Sequence, residues 1–177
     1  MECGVDPRKL IAEMWTDVSS DLLRLASSMG MRPDQAEDIV QNVFYQAWNQ
    51  ATDCSSPDEL VHWLIRVTIN ESNLVHRRRQ RWRNVWMRIA VLRNAFGSSR
   101  ERRSREVTHD DQEVISLALD ELPADQRSVL VLRYIKGYDS TVIGRILGVP
   151  PSTIRGQLRK ARKALASKLA PMGFYDE

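Results

Sequence analysis

The chain has 177 residues, 42% hydrophobic and 28% charged, a composition that excludes fibrous and broadly disordered proteins and suits one ordinary domain or two small ones. A net charge of +3 conceals an uneven distribution, since residues 1–76 carry −7, residues 77–106 carry +9 and the remainder carries +1. Cys3 and Cys54 with His62, His76 and His109 lack any disulfide or zinc spacing, no apolar run reaches membrane-spanning length, and the scattered glycines form no phosphate loop or dinucleotide fingerprint.

Helices are expected from the first residues onward. Leu10, Ile11, Met14, Val18, Leu22, Leu25, Ala26 and Met29 recur at steps of three and four, and Gly30 is a natural stop. Pro33 and Asp34 open a second helix whose stripe is Ala36, Ile39, Val40, Val43, Phe44 and Ala47. Asp38, Gln41, Asn42 and Tyr45 are left on or near its polar side. Ser56, followed by Pro57, Asp58 and Glu59, has N-cap chemistry and starts a third helix expected to run to about Arg79, with Leu60, Leu64, Val67 and Leu74 inward. Trp48 and Trp63 are expected to pack in the core.

The basic stretch comes next. Trp82, Val85, Trp86, Ile89, Leu92 and Phe96 keep a helical spacing among Arg81, Arg83, Arg88 and Arg93, which predicts a basic amphipathic helix. Three roles remain open for it: packing on the N-terminal body, forming part of a connector, or lying under a partner protein. Residues 97–112 have no useful apolar period and read as a flexible linker, dividing the chain into units at 1–96 and 113–177.

The C-terminal unit is again helical. A short helix is expected from Val114 to Leu122, then one with Pro123 at its first position that stops at Gly137. Ser140 is the expected cap of the next helix, which ends at Gly148. After Val149-Pro-Pro, Ser152 offers an N-cap for a last helix with Ile154, Leu158, Ala161 and Leu165 on one face. Helix, glycine-containing turn and second helix together make a helix-turn-helix pattern.

That last helix carries six basic residues and no acidic one between Ser152 and Lys168. Arginine can bond bidentately to guanine and glutamine to adenine, while further cations meet phosphates, so this composition suits a DNA groove. The plainer account is a solvated basic helix end that complements the helix dipole. The preceding helix and turn favour DNA.

Taken in order, Leu119-Asp-Glu-Leu-Pro-Ala-Asp-Gln-Arg, Val129-Leu-Val-Leu-Arg-Tyr, Ile146-Leu-Gly-Val-Pro, Thr153-Ile and Ala161-Arg-Lys-Ala-Leu resemble the promoter-binding C-terminal domain of bacterial extracytoplasmic-function sigma factors. Ala36-Glu-Asp-Ile-Val-Gln-Asn-Val-Phe, ending in Ala47-Trp48, resembles the helix by which such factors grip RNA polymerase. Trp63-Leu-Ile-Arg-Val with Asn70 and Arg77-Arg-Arg resembles the helix that meets the −10 promoter element. The resemblance implies an all-α protein of two small helical domains, a region 2-like bundle and a region 4-like helix-turn-helix. It implies contacts to core polymerase through Asp38, Gln41, Asn42 and Tyr45, and to the −10 element through Asn70, Arg77, Arg78 and Arg79. Ser152, Thr153, Arg155, Gly156, Gln157, Arg159, Lys160, Arg162 and Lys163 are then the readers of the −35 element.

Departures from the family pattern fall at Val142, Gly144, Ser152, Gly156, Gln157 and Leu74, where the family usually has Glu, Ala, Gly, a Ser-Arg pair and Asp. No known promoter sequence is therefore transferred. Expected partners are core RNA polymerase, promoter DNA and an anti-sigma factor, in the cytoplasm, with no cofactor, no metal, no membrane insertion and no catalytic chemistry. A stand-alone helix-turn-helix regulator, or a sigma-like interaction module without promoter reading, are the competing functions. Asn70 could contact DNA or cap a local turn.

Overall fold

The structure, a computed structural model, describes the backbone of residues 7–50, 56–95 and 117–170 and the side chains of 8–50, 56–82 and 117–170. Regular structure among the described residues is helical: α1 (Pro7–Ser28), α2 (Pro33–Gln50), α3 (Pro57–Ala95), α4 (Ala124–Tyr134), α5 (Ser140–Leu147) and α6 (Pro151–Leu169). A helical turn at residues 117–120 precedes α4. None of these helices is long and apolar enough to cross a membrane. The expected linker, 97–112, lies outside the described residues.

α1 and α2 follow their stripes. Ile11, Leu22, Leu25, Ala26 and Met29 are buried on α1, and Ala36, Ile39, Val40, Val43 and Ala47 on α2. Gly30 ends α1 with a left-handed φ of 81°, a conformation that costs glycine little. Trp48 departs from the expectation of a core residue and is 40% exposed. It closes an aromatic row in which the Trp15 and Phe44 rings lie 4.6 Å apart and the Phe44 and Trp48 rings 6.0 Å apart, with the Arg8 guanidinium 5.6 Å from the Trp48 ring.

Ser56 caps α3 as its sequence predicts, accepting the Glu59 amide at 3.2 Å. Leu60, Leu64, Ile65, Val67 and Ile69 supply its buried side. The helix does not stop near Arg79. It continues unbroken through the basic stretch for 39 residues, because no glycine or proline interrupts the chain between Pro57 and Ala95.

In the C-terminal part, α4 begins at Ala124, so Pro123 occupies the cap rather than the first helical position. Arg127 is 1% exposed and ties the start of α4 to the preceding turn, donating to the carbonyls of Leu119 at 2.9 Å and Leu122 at 2.8 Å. Two caps differ from expectation. Asp139 rather than Ser140 caps α5, its Oδ1 accepting the amides of Thr141 and Val142 at 2.8 Å each, and those bonds hold its carboxyl below the ordinary range. Helix α6 starts one residue before Ser152, since Pro151 presets the φ of a first helical residue and has no amide to leave unbonded.

Candidate nucleic-acid interface

Helices α5 and α6 meet across a tight turn. Gly148 is left-handed at φ 71°, and the Val149 amide donates to the Gly144 carbonyl at 3.0 Å. A Cβ on Gly144 would stand 2.6 Å from the Val149 carbonyl oxygen, so the departure from alanine at this position has a steric cause. Ile143 and Ile146 on α5 and Ile154, Leu158 and Ala161 on α6 are buried together in the core.

Burial of that seam fixes which residues of α6 face outward. Ser152, Thr153, Arg155, Arg159, Lys160, Arg162 and Lys163 are exposed, while Gly156 and Gln157 are half-buried. At 100° per residue, Arg155, Arg159, Arg162 and Lys163 share one side of the helix with Ser152, and Thr153, Gln157 and Lys160 lie on the other flank. Two of these side chains have partners on α4: Gln157 Nε2 donates to Asp125 Oδ2 at 3.4 Å, and the Arg162 guanidinium lies 5.8 Å from the Tyr134 ring. A ridge of cations, without a carboxylate of its own, can follow a phosphate backbone and present arginine forks to base edges.

On α2, Asp38, Gln41, Asn42 and Tyr45 are all exposed, opposite the buried stripe. Tyr45 is 69% exposed, a large solvent-facing aromatic of the kind that anchors protein interfaces. Asp38 and Asn42 also line a groove of about 580 Å³ between α2 and α3, shared with Arg78, Arg79 and Trp82. The two residue sets expected to contact polymerase and the −10 element therefore adjoin.

The arginine run does not act as one row. Consecutive residues on a helix point about 100° apart. Arg77 and Asn70 are exposed on nearly the same side of α3, Arg78 is exposed beside the groove, and Arg79 turns inward. Arg79 Nη1 donates to the Gly30 carbonyl at 3.1 Å and its Nη2 to Gln35 Oε1, which ties α3 to the α1–α2 turn. Arg66, which sequence reasoning did not single out, is exposed one turn before Asn70. Its signal was present in the spacing of Arg66, Asn70 and Arg77.

Two family comparisons cover these surfaces. The family described as Sigma-70 region 2 matches residues 14–83, and that described as Sigma-70, region 4 matches residues 112–165. Among curated proteins the chain is similar to the ECF RNA polymerase sigma factor EcfG of Rhodopseudomonas palustris, 25% identical over 88% of this chain and 82% of that protein. It is also similar to the ECF RNA polymerase sigma factor SigL of Mycobacterium tuberculosis, 28% identical over 93% of this chain and 91% of that one. Among solved structures, the sigma factor RpoE in complex with the anti-sigma factor NepR, from Bartonella quintana, superposes with a TM-score of 0.62 at 26% identity, covering 92% of this chain and 98% of RpoE. CnrH, solved with the cytosolic domain of CnrY, shares the fold at a TM-score of 0.57 and 22% identity.

Proposed function

Since the chain belongs to the extracytoplasmic-function sigma factors of RNA polymerase, we propose that its two halves divide promoter-directed initiation between them, the N-terminal half taking core polymerase and the −10 element and the C-terminal half the −35 element. The observation that carries this reading is the α6 ridge. Arg155, Arg159, Arg162 and Lys163 stand exposed on one side of a helix whose opposite side is locked into a helix-turn-helix. Asp38, Gln41, Asn42 and Tyr45 are the polymerase contacts in this account, supported by their exposure on one helix within the region 2 match.

The work is binding, orientation and strand opening. Phosphate contacts from Arg77, Arg78 and the α6 cations supply salt-dependent affinity, and base contacts from Arg155, Gln157 or Arg159 supply selection. Gln157 begins from a bond to Asp125, so it must exchange that partner for a base edge if it reads adenine. Each half alone has a small DNA surface. Polymerase holds the two at a fixed separation and converts two weak contacts into one strong one. The chain works beside polymerase in the cytoplasm, without cofactor or catalytic group of its own, and an anti-sigma factor restrains it, as the RpoE–NepR structure suggests for a relative.

Mobility shift of genomic promoter fragments tests the reading. Fragments retarded by the chain with core polymerase, and not by either alone, are the expected result. Retardation by the chain alone at similar concentration would favour a stand-alone regulator.

A further inference from the structure

Helix α3 carries one unbroken polar line. At about 100° per residue, Arg66, Asn70, Arg77, Arg81, Asn84 and Arg88 fall within about 60° of one another, and every residue in that sector between 66 and 88 is Arg or Asn. Arg66, Asn70, Arg77 and Arg81 are exposed. Positions 84 and 88 join the line because the helical backbone continues to Ala95. The line spans about 33 Å at a rise of about 1.5 Å per residue, close to one turn of B-DNA. Its last positions lie beyond residue 83, where the region 2 match ends.

The charges on this line are uncompensated. Among the described residues, Arg24 pairs with Asp21 and Arg32 with Asp34, whereas Arg66, Arg77 and Arg81 form no ion pair. From Arg77 to Ala95 the sequence holds seven arginines and no carboxylate. Arg77 and Arg81 stand one turn apart and repel each other, at a cost to the helix. A helix side that meets only solvent usually mixes signs at that spacing. A protein interface centres on aromatic or aliphatic anchors, and the line has none. Positions 82, 85 and 89, where Trp, Val and Ile stand, fall about 70–130° from its centre. The partner that fits is a polyanion whose charges repeat along its length, as the phosphates of a duplex do.

We propose that this line is a phosphate track, and that Arg81 and Arg88 grip the duplex of the promoter spacer, upstream of the −10 element. The proposal rests on the sigma reading. Asn70 and Arg77 then mark the −10 end of the track. The chain beyond α3 leads to the half that takes the −35 element, so positions after Arg77 lie on the −35 side. Contacts there add affinity and register without reading the spacer's sequence. Arg78 and Arg79 take no part in the spacer contact, because one stands beside the α2–α3 groove and the other is bonded to Gly30 and Gln35.

Salt titrations of the chain with core polymerase test this, on a promoter fragment chosen because the wild-type chain initiates from it. Arg81→Ala and Arg88→Ala should each flatten the slope of log affinity against log salt by about 0.9, the share of one phosphate. Arg83→Ala removes the same charge about 130° away from the line's centre and should leave the slope unchanged. Neutral methylphosphonates in place of the spacer phosphates should flatten the wild-type slope and erase its difference from Arg81→Ala and Arg88→Ala. Polymerase capture should be the same for all of these chains. An equal effect of Arg83→Ala overturns the track in favour of a diffuse positive field. A difference that survives the neutral spacer overturns the spacer contact, and lost polymerase capture assigns the line to polymerase instead. Failure of the sigma reading would show in the wild-type chain, as absence of initiation from every fragment.

Discussion

Gly144 and Val149 hold each other across the turn of the helix-turn-helix: the Val149 amide donates to the Gly144 carbonyl at 3.0 Å, and the Val149 carbonyl fills the place where a Gly144 side chain would begin, 2.6 Å from a built Cβ. Helix α6, the proposed reader of the −35 element, starts two residues later, so this pair sets its angle to α5.

Gly144→Ala is accordingly expected to destabilise the protein by about 1–3 kcal/mol, because a backbone oxygen must give way rather than a flexible side chain. Gly156→Ala, at a helical position with open space around it, is the control and should be neutral or slightly stabilising. Chemical denaturation of both variants checks the difference. Equal stabilities would mean that the turn relaxes without cost.

Arg77 and Arg79 should separate. Arg77→Ala is expected to leave stability nearly unchanged and to flatten the salt dependence of DNA binding by about one phosphate contact. Arg79→Ala loses bonds to Gly30 and Gln35 and should lower the melting temperature first. The reverse pattern would place Arg79, not Arg77, on the DNA.

His76 gives the protein a pH dependence. Burial, assisted by the positive charges of Arg127 and Arg79, holds its imidazole at about 4 against an ordinary 6.5, outweighing the bond to the Met29 carbonyl, which favours the charged form. Asp120 at 3.4 Å also opposes the shift, and burial prevails. The unfolded chain therefore takes up the proton first as pH falls, so stability present above pH 6.5 is lost progressively toward pH 4. His76→Gln, which can still donate to Met29, should show a shallower loss over that window. Parallel stability curves for the two proteins would contradict the assignment.

Asp38→Ala and Gln41→Ala should weaken capture of core polymerase, each by about 1 kcal/mol or more if they lie near the centre of the interface. Neither is expected to alter the melting temperature, since both side chains are exposed. Loss of stability instead of binding would assign them to the fold.

Much of this was legible from the residues. Gly30 and Gly148 mark helix ends because left-handed backbone favours glycine, and the stripes of α1, α2 and α6 follow from a period of 3.6. The unbroken α3 was not foreseen beyond Arg79, because the charged run from Arg77 to Arg81 interrupts the apolar stripe, although at 100° per residue Trp82, Val85 and Ile89 resume it on the side of Leu60, Leu64 and Leu74 and the backbone has no reason to stop. Asp139 displaced Ser140 as a cap because adjacent residues of similar chemistry compete, and geometry decides between them. Asn73 and Ser128 are ordinary polar residues 55 positions apart, and no local pattern announces their meeting. Among the site residues, exposure of the α2 set and of the α6 cations followed from periodicity, whereas the half-burial of Gln157 beside Asp125 and the inward turn of Arg79 toward the Gly30 carbonyl depend on neighbours that only the fold brings near.

Run-off transcription with core polymerase over a library of genomic promoters measures the central claim most directly. With the wild-type chain, specific initiation is expected. Arg155→Ala and Arg159→Ala should each reduce it, by about 1–3 kcal/mol where a bidentate base contact is lost, while polymerase capture stays intact. Absence of initiation by a wild-type chain that still binds core polymerase would contradict the account.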